Sequence, residues 1–134
     1  MRRAAPALAR LSRGCRWIAT SEARRAVDTA ELLRDAFKRR PSLERWTELG
    51  SGRLPQPIFD RIRRTVPSRE TIVLVGHEPT LNEFLGLALV GEGISAVRLT
   101  KGGAAGLEFA SSVRPSGGRL LWLLTRKQLA DVHG

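Results

Sequence analysis

Two polar side chains stand where apolar runs give way to helical stretches, and their types suit the binding of an oxyanion. His77 follows the run Val73-Leu74-Val75-Gly76, and Glu78-Pro79-Thr80 leads from it into an apolar stretch from Leu81 to Val90. The pattern predicts a strand, a turn that presents an imidazole, and a helix, which is where open α/β sheets place their ligands. A second junction precedes it: Trp17 to Ser21 reads as a short buried strand and Glu22 to Lys38 as the helix it feeds, with Arg25 in the first turn. A phosphoryl group carries about −1.5 to −2 charge near neutral pH and asks for planar, multidentate donors and helix N-terminal amides. Arg25 offers the first, the backbone amides after Ser21 and His77 the second, and a protonated His77 further positive charge. The expected phosphate-binding set is Arg25, His77, Ser21 and Gly76, with Arg25 and His77 as the catalytic candidates.

Other polar residues have plainer readings. Ser21 is expected to cap its helix, because the sequence places no base beside it. Arg24 reads as a solvated helix residue, Lys101 as a turn lysine and Glu78 as an acid favoured by the dipole of the helix that follows. Trp17, Trp46 and Trp122 fall in predicted strands as core or crevice wall, Cys15 is a small buried apolar residue, and His133 belongs to the tail.

The elements that must position the site follow from periodicity. Arg2 to Arg13 reads as a helix, with Ala4, Ala7, Leu8, Leu11 and Cys15 at helical spacing. Pro41 stops the next helix, Leu43 to Leu49 offers a strand, and Gly50 to Pro57 is a loop by its turn residues. Ile58, Phe59, Ile62 and Val66 mark one face of a helix that Pro67 ends, and Thr71 to Val75 is the following strand. The helix Leu81 to Val90 stops at Gly91, Ile94 to Leu99 is partly extended, and Ala104 to Ala110 and Leu120 to Thr125 are strands around a Gly-Ser-Pro turn. This order predicts one α/β domain over residues 1–134, with a mostly parallel sheet that finishes in a hairpin.

Composition narrows the function classes. One cysteine cannot form an internal disulfide, and no Cys/His group has zinc spacing, so the chain fits a reducing, cytoplasmic setting and needs no metal or other cofactor. No apolar run approaches the roughly 18 residues of a membrane span. Arg2-Arg3 mimics the start of a secretory signal, but Arg10 and Arg13 interrupt its apolar region; a domain helix is also preferred to a mitochondrial transit peptide. A net charge of +10 invites a nucleic-acid reading. The basic residues are dispersed from Arg2 to Lys127, however, and only three of the 23 are lysine. A generally basic surface with weak, salt-sensitive attraction to polyanions is preferred to specific nucleic-acid binding.

Three motifs in order resemble the histidine phosphatase superfamily, and within it the small SixA-type phosphohistidine phosphatases. The family's Ser-Pro-x-x-Arg-Ala-x-x-Thr-Ala is matched by Ser21-Glu22-Ala23-Arg24-Arg25-Ala26-Val27-Asp28-Thr29-Ala30, with Glu22 in place of Pro. Val75-Gly76-His77 matches a later motif, and Leu99 to Ala104 with Gly118 to Leu124 is similar to the family's C-terminal end. The resemblance implies a three-layer, phosphoglycerate mutase-like α/β fold and removal of phosphate from phosphohistidine through a phosphorylated enzyme histidine. It assigns to His77 the stabilisation of the equatorial phosphoryl oxygens.

One family motif has no counterpart here. The tripeptide Arg-His-Gly, which carries the nucleophilic histidine on the family's first strand, is absent, and His77 and His133 are the two histidines. The expectation is that Met1 lies inside a longer reading frame, that this chain has little or no turnover, and that an apolar sheet edge left beside Thr71–Val75 promotes self-association. Expected partners are a phosphorylated protein, including a histidine-containing phosphotransfer protein, or a small phosphate compound. Two further readings stay open: a non-catalytic phosphate- or phosphoprotein-binding domain, and a basic nucleic-acid-binding protein.

Overall fold

The computed structural model describes residues 2–92 and 97–131. Its elements run α1 (Ala5–Leu11), β1 (Trp17–Thr20), α2 (Arg24–Asp35), β2 (Ser42–Arg45), a 3-10 turn (Thr47–Leu49), α3 (Gln56–Thr65), β3 (Ile72–Val75), α4 (Thr80–Val90), β4 (Ala104–Phe109), β5 (Gly118–Leu124) and α5 (Arg126–Asp131). Strands β2, β1 and β3 form a parallel sheet in that order, in which Trp17 pairs with Ser42 on one side and Ile72 on the other. The hairpin β4–β5 is a separate antiparallel sheet, so the single sheet expected from the element order is divided in two. Among the described residues β3 is therefore an edge strand, and each of its four apolar residues is only half-buried.

Strand alternation sorts the side chains into two cores. Trp17 and Ala19 of β1 and Ile72 and Leu74 of β3 face Ile58, Phe59 and Ile62 of α3 and Phe84, Leu87 and Ala88 of α4. Ile18, Val73 and Val75 face the other way, toward Ala5 and Leu8 of α1, Ala30 and Leu33 of α2, and Leu129 of α5. Period-2 strands between period-3.6 helices give this arrangement directly. Leu107 and Phe109 of β4 join the first core, whereas Ala104, Trp122 and Leu124 join the second. The hairpin thus continues both layers without hydrogen-bonding to β3. Phe59 and Phe84 stack with centroids 4.6 Å apart and tie α3 to α4.

Several expected boundaries move. α1 is shorter than Arg2–Arg13; Leu11 is 40% exposed, and Cys15 is buried but lies beyond the helix. β2 ends at Arg45 rather than continuing to Leu49, because Trp46 and Leu49 turn into the first core through a 3-10 turn. Trp46 is accordingly a buried residue after its strand, with its indole N–H donating to Glu44 at 2.8 Å. Gly91 ends α4 as expected, in a left-handed conformation (φ 80°) that a glycine adopts without steric cost. The extended segment expected at Ile94–Leu99 lies partly outside the described residues, and its described part, Val97 to Leu99, is not strand.

Candidate functional site

β1 and β3 are parallel neighbours, so their carboxyl ends, at Thr20 and Val75, lie side by side. The Ser21 N–H donates to the Val75 carbonyl at 3.1 Å and closes this end of the sheet. Immediately past it, Ser21 Oγ and His77 Nε2 share a hydrogen bond of 2.6 Å. The hydroxyl donates when Nε2 is bare, and Nε2–H donates to the hydroxyl oxygen when the ring carries its proton there. Ser21 is 1% exposed, whereas His77 is half-buried. With Nε2 held, Nδ1 is the ring atom left for a ligand.

Ser21 does not cap α2, contrary to what its place before the helix predicts. The residue at the cap position is Ala23, and α2 begins with no side-chain cap hydrogen bond. The serine hydroxyl turns to His77 instead, because the adjacent strand brings an imidazole that local sequence cannot reveal. The result is a 12-residue helix with an uncapped N-terminus, two arginines, Arg24 and Arg25, in its first turn, and no acid there. Exposed amides, the positive end of the dipole and two guanidiniums repel one another unless an anion is present. Arg24 and Arg25 are exposed and in no ion pair among the described residues. Glu22, also exposed, lies just outside the helix and offsets part of this positive charge.

The second junction is less generous than expected. Pro79, which has no N–H, occupies the cap position of α4, and the Leu81 N–H donates to the His77 carbonyl at 3.0 Å. Glu83 adds an acid to the first turn, and the Thr80 hydroxyl is drawn away to the Arg53 carbonyl at 3.0 Å. Glu78 precedes α4 and hydrogen-bonds to Asn82, so its role is a local tether as well as a charge near the dipole. Gly76 has no positive φ, and an added methyl would meet Leu49 O and Leu81 Cγ at 3.4 Å, so close packing gives little reason for glycine there. Lys101 lies in a turn, exposed, as expected, and His133 lies outside the described residues.

Thr20 is a residue that sequence reading missed. It ends β1 at 0% exposure, and its Oγ1 has no hydrogen-bond partner among the described residues. A buried hydroxyl without a partner is uncommon, and a threonine closing an apolar strand beside Ser21 is the signal that could have drawn attention to it. No group of three or more His, Cys, Asp or Glu side chains suited to a metal forms among the described residues. No helix among them is long and apolar enough to cross a membrane.

The parallel sheet, its helices on both faces and the polar residues at the strand ends define a mixed α/β protein with a candidate oxyanion site. No protein-family model matches this chain, and no curated protein matches it.

Proposed function

We propose that this chain is a phosphoryl-binding α/β domain of the SixA-like, phosphoglycerate mutase-like kind, which engages phosphohistidine on a protein or a small phosphate compound without turning it over efficiently. The uncapped end of α2, with Arg24 and Arg25 exposed in its first turn and no acid there, is the observation that carries this reading. The His77 ring, anchored through Nε2 by Ser21, contributes Nδ1 as a donor when protonated. Phosphohistidine suits such a site, because an imidazole leaving group, with a parent pKa of about 6.5, departs with little acid assistance. Turnover needs a covalent nucleophile, and losing one costs on the order of 10³ to 10⁶ in rate.

Titration calorimetry with phosphate, sulfate or vanadate tests the binding, using Arg25→Ala and His77→Ala. Weakening in both variants is expected, more in Arg25→Ala; unchanged affinity in both removes the site. Phosphate release from a phosphohistidine peptide should be near background. Robust turnover that survives His133→Ala would sink the view that this chain lacks a nucleophile.

The 2.6 Å Ser21–His77 contact favours one second reading, a serine nucleophile with histidine as its base. At 1% exposure Ser21 offers its oxygen poorly to an incoming phosphorus or carbonyl centre, so the positioning role is preferred. Hydrolysis that Ser21→Ala abolishes would reverse that preference.

A further inference from the structure

A cavity of about 550 Å³ opens between the start of α1 and the face of α5, and none of Ser21, Arg25, Gly76 and His77 lines it. Four cations surround it: Arg2, Arg3, Arg126 and Lys127. None is in an ion pair among the described residues, and all four are exposed. Between them lie the apolar surfaces of Ala4, Leu32 and Ala130, and Asp131 supplies one carboxylate. Clustering like charges around a concavity costs electrostatic free energy that a bound anion recovers.

Part of this wall is well fixed. The Thr125 N–H donates to Gln128 Oε1 at 2.9 Å and the Gln128 N–H donates back to Thr125 Oγ1 at 3.2 Å, which sets the first turn of α5. Leu129, at 0% exposure, anchors the helix in the second core. The stem of Arg126 lies over Gly102, where an added Cβ would come within 2.8 Å of its Cδ. The Arg126 stem is therefore held against the protein while its guanidinium is exposed.

We infer that this cavity is a site for a small organic polyphosphate, of which a nucleoside diphosphate is the type. The volume falls within the ~300–1,000 Å³ range of small-molecule pockets and far exceeds what orthophosphate fills. The cations match two phosphates, guanidinium planes and the Leu32 side chain can cover a base, and Asp131 can accept hydrogen bonds from hydroxyl or amino groups. An inorganic polyphosphate would gain nothing from Asp131 or the apolar wall. This inference stands independently of the phosphoryl reading at Arg25 and His77.

Calorimetry with ADP and with pyrophosphate, near physiological salt, tests it on the full chain. The double variant Arg126→Glu/Lys127→Glu should weaken ADP about tenfold or more, while the charge-matched control Arg13→Glu/Arg39→Glu and the variant Arg25→Ala stay within about twofold. Asp131→Ala, which removes both the charge and the acceptor, should lower the preference for ADP over pyrophosphate. ADP should also shift the amide resonances of Leu129 and Ala130 in the unaltered protein, a readout that does not depend on any variant folding. Equal loss in the control would reduce the effect to general charge, and loss in Arg25→Ala would place ADP at the other site. Either outcome, or no ADP binding at millimolar concentration, overturns the inference; an unchanged preference for ADP over pyrophosphate in Asp131→Ala overturns its nucleoside part.

Discussion

At the residue scale, the Ser21–His77 contact and the Arg25 guanidinium make separable contributions. Ser21 holds Nε2 of His77, so Ser21→Ala should release the ring, change its nitrogen resonances in NMR and weaken oxyanion binding, while the fold persists. Unaltered ring-nitrogen resonances in that variant would show that the 2.6 Å contact has no influence on the ring. Arg25 acts by direction as well as charge, because its fork can grip two oxygens at once. Arg25→Lys should therefore lose most of what Arg25→Ala loses in an oxyanion titration; full retention by lysine would mean that charge alone is used.

At the element scale, the 3-10 turn after β2 links the first core to surface electrostatics. Burial alone would push the Glu48 carboxyl up, but its own backbone N–H and the Arg61 and Arg64 guanidiniums together outweigh burial and hold it below its ordinary value of 4.5. A carboxyl depressed in the folded state stabilises that state above its unfolded pKa, and the stabilisation is lost as pH falls through the folded value. The melting temperature should accordingly drop on acidification below about pH 4.5, by less in Glu48→Gln than in the unaltered protein. At pH 7 the substitution should cost about 1 kcal/mol or less, since Arg61 and Arg64 remain partly solvated. Identical acid sensitivity in both proteins would assign the loss to other carboxylates.

At the scale of the whole molecule, the division of the sheet governs behaviour in solution. β3 presents the apolar run Ile72-Val73-Leu74-Val75 at an edge that, among the described residues, no second strand pairs, while the hairpin continues both cores beyond it. Such edges are templates for pairing with other chains. The chain should dimerise or aggregate with rising concentration in size-exclusion chromatography. A monomer at every concentration would show that this edge is not used for pairing.

Periodicity and punctuation settled much of the architecture before any contact was known. The apolar faces of α3 and α4, the short parallel strands β1 and β3, the stop at Gly91 and the terminal hairpin are all legible in the chain, because local spacing and turn chemistry dictate them. So are His77 as a residue just past the carboxyl end of β3 and Arg25 as one in the first turn of the helix that follows β1. The partner of Ser21, the buried hydroxyl of Thr20, the early end of β2 and the separation of the hairpin from β3 were not legible. Each depends on which distant segments meet: His77 is 56 residues from Ser21, and no local pattern specifies their 2.6 Å contact. The same holds for the basic cavity, whose cations come from opposite ends of the chain and read as dispersed charge until α1 and α5 pack on one core.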